Sequence, residues 1–178
     1  MRLYEIKATP YKYGAKYLQH AETPTLQAEF TTRDGSTVSA RVVYIKAQKQ
    51  ILINFSKNDQ HKLSGQGDQF KILFTVLDFY QKALPKMIQT FPTDSVTFSA
   101  DAGEPSRVKL YRKRAVPEFS KILGSEWNPA KESNSTFGKS SDVEFTWERK
   151  EPTVDKNSPA AKGKLEPGKP YRSLRRRD

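Results

Sequence analysis

Between Leu26 and Leu84 the apolar residues change their period once, and that change constrains the fold more than any other feature of the chain. Leu26–Thr32 and Thr37–Ile45 read as strands, and Ile51–Phe55 puts Ile51, Ile53 and Phe55 on one face. Alternation with period two marks a half-buried strand. Arg33-Asp34-Gly35-Ser36 separates the first two runs. Asp-Gly accepts positive φ at both central positions of a type I′ turn, so a hairpin is expected there. Lys46–Gln50 supplies the next turn, which makes the three runs an antiparallel meander. After a polar stretch, Ser56–Gly67, the spacing switches to threes and fours. Phe70, Leu73, Leu77, Tyr80 and Leu84 form one helical stripe. Asp68 is expected to cap that helix, and Pro85 to end or kink it.

The rest of the chain adds fewer, weaker signals. Ser95–Ala100 predicts a strand and Asp101–Pro105 a turn. Ser106 is placed to cap a second helix over about Arg107–Leu123, with Val108, Tyr111, Ala115, Phe119 and Ile122 on one side. Pro117 is expected to interrupt that helix. Val143–Trp147 alternates and reads as a strand that returns to the sheet, and Leu3–Ala8 as a short strand. Thr9–Thr25, with Tyr11, Tyr13 and Tyr17, reads as a loop or irregular arm. The expectation is an α/β fold with a mixed, largely antiparallel sheet. One domain spans residues 1–149, with its core over 26–124 and 143–147 as the returning strand. Residues 150–178 are read as a disordered basic tail, because four prolines follow Glu151 among many charges and burial there cannot offset the ordering entropy.

Charge and composition narrow the function classes. The 178 residues carry a net charge of +11, and their apolar fraction of 35% lies below the roughly 45–50% of globular chains. Residues 1–126 hold 19 Lys and Arg against 12 Asp and Glu, and residues 127–178 hold 12 against 8, so the basicity belongs to domain and tail alike. A positive field suits nucleic acid or an acidic protein partner; a solvated surface without a ligand is the alternative. There is no cysteine, which removes disulfides, thiolate metal sites and a cysteine nucleophile. His20 and His61 stand far apart without companions, so no metal is expected. No run approaches the ~20 apolar residues of a membrane helix, and the N-terminus lacks the apolar core of a signal peptide. The expectation is a cytoplasmic protein without a membrane role.

The order so far is meander, glycine-containing loop, helix, strand, helix, strand. With Lys62-Leu63-Ser64-Gly65-Gln66-Gly67 between meander and helix, it resembles the GNAT (Gcn5-related N-acetyltransferase) superfamily. There a Gln/Arg-x-x-Gly-x-Gly/Ala loop holds the pyrophosphate of coenzyme A on backbone N–H groups and a helix N-terminus. Glycines let the backbone approach a phosphate, and orphan donors plus the helix dipole favour the anion. The resemblance covers about residues 26–124. It implies an acyl-coenzyme A-dependent N-acyltransferase, or an inactive relative, with acetyl-coenzyme A as cofactor. Lys62, Ser64, Gly65, Gln66, Gly67 and Ser106 would bind the cofactor. Tyr111, in Ser106-Arg107-Val108-Lys109-Leu110-Tyr111, would protonate the leaving thiolate. Lys62 stands where the family has Gln or Arg, no pair of helices precedes the meander, and Asp68 follows the loop directly.

Other readings of the same residues stand. Gly65 and Gly67 fit a plain strand-to-helix loop, and Tyr111, on the apolar stripe, fits a core residue. Glu29 can be named as a strand carboxylate, although nothing specific recommends it as a base. Arg107, Lys109, Arg112, Lys113, Arg114 and Lys121 make the second helix basic, with Arg107, Arg114 and Lys121 seven residues apart, a ridge suited to phosphates. Tyr11, Tyr13 and Tyr17, interleaved with Lys12 and Lys16, could stack unpaired bases. The competing class is thus a non-enzymatic nucleic-acid-binding or virion or host-interaction protein. In style the chain resembles small basic α/β proteins of tailed bacteriophages, which implies a phage-encoded protein.

Overall fold

The computed structural model describes residues 9–57, 68–101, 105–137 and 140–151. The expected strand at Leu3–Ala8, the loop Lys62–Gly67 and most of the tail lie outside these residues. In chain order the elements are β1 (Gly14–Leu18), β2 (Thr25–Thr31), β3 (Thr37–Ile45), β4 (Gln50–Lys57), α1 (Gln69–Thr90), β5 (Ser95–Asp101), α2 (Pro105–Leu123), β6 (Lys131–Phe137) and β7 (Ser140–Glu148). The seven strands form one sheet in the order β1-β2-β3-β4-β5-β7-β6. Only β4 and β5 run parallel, joined through α1.

The meander follows from its alternation. Ala28, Phe30, Val38, Ala40, Val42, Ile51 and Ile53 are buried, while Glu29, Thr31, Thr37 and Arg41 are exposed. The registers Ala28↔Ala40, Val42↔Ile53, Ile53↔Phe98 and Phe98↔Phe145 put one apolar face across the sheet from β2 to β7. Both helices pack on that face. Phe119 of α2 meets Tyr80 of α1, Phe98 of β5 and Trp147 of β7, with ring centroids 5.3–5.7 Å apart. Among the described residues no helix covers the opposite face, which displays Gln27, Ser39, Arg41, Asn54, Thr97, Glu144 and Thr146.

Several expectations need correction. The β2–β3 turn is not type I′. Gly35 N–H donates to the Thr32 carbonyl at 3.0 Å, and only Gly35 has positive φ (79°), so Arg33 and Asp34 form the turn and Gly35 the left-handed residue after it. That is the three-residue hairpin loop, in which the left-handed position takes glycine. The arm contains β1, which pairs antiparallel with β2 from Gly14↔Glu29 to Leu18↔Thr25. α1 runs through Pro85 to Thr90, because Met87, one turn past Leu84, is still buried. Its buried row includes Ile72, Val76, Phe79 and Ala83, whereas Phe70, assigned to the stripe, is exposed. α2 likewise continues through Pro117, held by Phe119 and Leu123 beyond it. Ser106 lies inside the first turn of α2 rather than ahead of it. Val143–Trp147 does return: it is the middle of β7, which slots between β5 and β6.

Asp68 is the N-cap residue of α1, as expected, and its carbonyl accepts from the Ile72 N–H at 2.9 Å, but its side chain makes no capping bond. Instead it accepts from the Tyr11 hydroxyl, and at 3.4 Å from the Arg33 backbone N–H. Tyr11 N–H donates to Thr75 Oγ1 at 2.9 Å, the Lys71 ammonium sits 4.0 Å over the Tyr11 ring, and the Tyr13 hydroxyl donates to Asp78 at 2.8 Å. The arm is thus laid along α1, Tyr11 near its start and Tyr13 further on.

Candidate functional site

The two parallel strands do not stay together. Their ladder holds from Gln50↔Ser95 to Ile53↔Phe98, but β4 continues to Lys57 and β5 to Asp101. The sheet therefore opens after Ile53 and Phe98, at the carboxyl ends of both strands. Open α/β sheets bind ligands outside the carboxyl ends of their parallel strands. In sequence, residues 58–67 join β4 to α1 and residues 102–104 join β5 to α2. Both helices thus begin at this end of the sheet, with their orphan N–H donors there.

On the helix side the opening is filled. Tyr80, fully buried, donates its hydroxyl to the Asn54 carbonyl at 2.5 Å, on the first residue of β4 beyond the ladder. Burial pushes its phenol well above the ordinary tyrosine range, and the nearby Tyr111 adds to this. Phe55 lies parallel to Phe98 at 6.4 Å, and Tyr111 of α2 meets both edge-on, at 5.8 and 5.3 Å. Tyr111 is only 3% exposed. The aromatic floor explains why this helix face is closed and the opposite one open.

The rim is tied down at Lys57, the last residue of β4. Its side chain is 7% exposed, and its ammonium pairs with Asp34 of the β2–β3 turn at 2.7 Å. Hydrogen bonds from Lys57, then Thr32, then the Ser36 N–H hold the Asp34 carboxyl far below the usual range. Nothing in the spacing of Asp34 and Lys57 signals this pair. The only trace is a lysine at a position where alternation calls for an apolar residue.

The residues singled out from sequence fall into three groups. Lys62, Ser64, Gly65, Gln66 and Gly67 lie outside the described residues, in the segment that joins β4 to α1. Ser106 is exposed in the first turn of α2, and Tyr111 is in the floor. Of the basic ridge, Lys109, Lys113 and Arg114 are exposed along α2, where Arg107 also lies. Arg112 instead forks onto Glu132 of β6, its Nε 2.9 Å away, and Lys121 pairs with Glu118 at 2.6 Å. The arm tyrosines are engaged within the fold: Tyr11 stacks on Phe30 and Tyr13 meets Phe79 edge-on, while Tyr17 is 49% exposed. Among the described residues no group of His, Cys, Asp or Glu could hold a metal, and no helix is long and apolar enough to cross a membrane.

Meander, crossover helix, parallel strand, second helix and returning strand follow one another as the sequence implied, around a sheet that parts between its two parallel strands. The fold is a mixed, largely antiparallel α/β sheet in that order of elements. No protein-family model and no curated protein matches the chain. Two solved structures do, both of spermidine N-acetyltransferase SpeG from Vibrio cholerae. One is a single-residue mutant, with 10% identity and a TM-score of 0.37 over 68% of this chain and 64% of that one. The other is a chimera with hSSAT, with 12% identity and a TM-score of 0.36 over 72% and 68%. The chain thus spans just under two thirds of the first. Likeness at this level carries no substrate or cofactor from those proteins to this one.

Proposed function

We propose that this protein binds acyl-coenzyme A in the opening between β4 and β5 and transfers the acyl group to an amine. The observation that supports this best is the end of the β4–β5 ladder at Ile53 and Phe98; Lys62, Ser64, Gly65, Gln66 and Gly67 fall in sequence between β4 and α1. That segment would wrap the pyrophosphate on backbone N–H groups at the start of α1, with Ser106 at the start of α2 as a second donor. Asp68, whose carboxylate accepts from Tyr11 and the Arg33 N–H, would lie at the same helix start as the bound anion. The amine nitrogen would attack the thioester carbonyl, forming the C–N bond. The C–S bond breaks, the Tyr111 phenol gives its proton to the thiolate, the amine loses one proton to solvent, and Tyr111 takes one proton back from solvent. Since Phe55, Phe98, Tyr80 and Tyr111 fill the helix side, the acceptor must approach from the uncovered face.

Thermal unfolding with acetyl-coenzyme A tests the binding step. A ligand at about 100 times its dissociation constant adds ~2.7 kcal/mol, a rise of several degrees in Tm. No rise at millimolar ligand rejects the reading. Tyr111→Phe should keep that rise and lower kcat; an unchanged kcat removes Tyr111 from the chemistry.

A further inference from the structure

Among the described residues Arg41 is the cation of the uncovered sheet face without an ion pair; across the opening Asp142, two residues before Glu144 on β7, is likewise without one. Lys16 pairs with Glu29 at 3.5 Å, Lys131 with Glu148 at 2.5 Å, and Glu144 accepts from Ser135 Oγ at 2.8 Å. Arg41 is exposed at the centre of β3 and has no side-chain hydrogen bond or ion pair with any described residue. Its register partner is Asn54, the first residue of β4 beyond the ladder. The guanidinium therefore rises from the strand next to the one that lines the opening, about one strand spacing (~4.8 Å) from its edge. Asn54 and Ser99 are each one residue past Ile53↔Phe98, so they flank the opening on this face, and Ser99 is paired with Glu144 of β7. Across the opening the face thus runs from a cation and an amide, Arg41 and Asn54, to a hydroxyl and a carboxylate, Ser99 and Glu144.

We propose that the acceptor is an amine that also carries a carboxylate, such as a free amino acid, with its carboxylate held by Arg41. This rests on the acyl-transfer reading above. An exposed arginine presents a planar fork that matches a carboxylate with two parallel N–H bonds. With the carboxylate on Arg41 and the Asn54 amide, the amine of an α-amino acid falls one or two bonds further on, over the opening, where the thioester carbonyl would lie. Glu144 faces the ammonium from the far side and favours the cationic end pointing that way. A purely cationic polyamine would have to set a positive charge against Arg41, and a neutral amine would leave the guanidinium unused. The face is polarised for a molecule with one charge of each sign.

The test separates cofactor from acceptor. Wild type, Arg41→Gln and Arg41→Lys are each titrated with acetyl-coenzyme A by thermal shift. Each is then assayed for thiol release with three acceptor sets: free amino acids, the corresponding amino-acid amides, and a diamine. The expected result is equal stabilisation of all three proteins by the coenzyme. Wild type should prefer free amino acids over their amides. The KM for the preferred acid should rise by ~10-fold or more in Arg41→Gln at little changed kcat, with partial recovery in Arg41→Lys, since removing one charge-assisted bond costs about that much. Amides or the diamine used as well as the acids, an unchanged KM in Arg41→Gln, no turnover of any amine by a chain that binds coenzyme, or loss of coenzyme binding in Arg41→Gln each overturns the assignment of Arg41. If the coenzyme fails to stabilise wild type, the acyl-transfer reading itself falls, and this one with it.

Discussion

Replacing Tyr80 with Phe removes one atom from the place where the sheet parts. In the native protein the Tyr80 hydroxyl, from a side chain with no solvent exposure, donates to the Asn54 carbonyl at 2.5 Å. Asn54 lies just past the last β4–β5 pair and opposite Arg41 of β3, which belongs to the same ladder. The phenylalanine ring keeps the apolar contacts with Phe79 and Phe119 but removes the hydroxyl donor from that carbonyl. A hydrogen bond contributes about 0.5–1.5 kcal/mol. At a urea slope of about 2 kcal/mol per molar, a loss of ~1 kcal/mol moves the unfolding midpoint down by about 0.5 M. Equilibrium urea unfolding followed by tryptophan fluorescence reads this, because Trp127 and Trp147 are both buried. The slope itself should not change, as the surface exposed on unfolding is the same. A midpoint within ~0.2 M of wild type, a loss of less than about 0.5 kcal/mol at that slope, would refute the idea that the Tyr80 hydroxyl stabilises the end of the β4–β5 ladder.

Two further substitutions probe the frame around the site. Asp34→Asn should matter less as the solution becomes more acidic. The folded carboxyl is held below its unfolded value by Lys57, so its contribution is complete above the ordinary carboxylate range and fades as pH falls toward the folded value. The Tm difference between variant and wild type should therefore be largest near neutrality and shrink steadily below about pH 4; a difference that is constant with pH contradicts the Lys57 pairing. Gly124→Ala should cost about 1–2 kcal/mol in the same urea assay. Gly124 ends α2 at φ 79°, where nothing lies within 4 Å of an added methyl, so the whole cost is backbone conformation.

The elements that sequence made legible are those with one buried face. β2, β3 and β4 alternate, and β7 does too, because each has the sheet's apolar face on one side only. β1 and β6 gave no signal for the opposite reason. Gly-Ala-Lys-Tyr-Leu and Lys-Glu-Ser-Asn-Ser-Thr-Phe are the two edges of the sheet, and their described side chains are mostly exposed, so no apolar period records them. The helical stripe of α1 was read too narrowly, since the helix meets both the sheet and α2 and therefore buries a broad face. The cap position of Asp68 was legible from residue type and place, but the partner of its side chain, Tyr11, is 57 residues away in sequence. The same distance hid the site. A lone arginine in a strand carries no motif, and Arg41 gains meaning only through its register with Asn54 and the gap beyond it. Sequence leads one to expect Pro85 to end or kink α1 and Pro117 to interrupt α2, yet buried residues on their far side keep both helices going.

The position of β7 governs when this protein can exist. β5 has β4 on one flank for only four residue pairs, and its other flank is closed by β7 along its whole length, Ser95↔Glu148 to Asp101↔Asp142. During synthesis, β5 must therefore wait more than forty residues with one edge unsatisfied and Val96, Phe98 and Ala100 held only from one side. A ribosome stalled before Glu148 would hold a chain with an apolar strand edge in water, the kind of surface that pairs with another chain. Completion of the fold is thus a late, non-local event, slow by the standards of chains built from local contacts. A nascent chain carrying this sequence has most need of a chaperone in the interval between its second helix and its last strand.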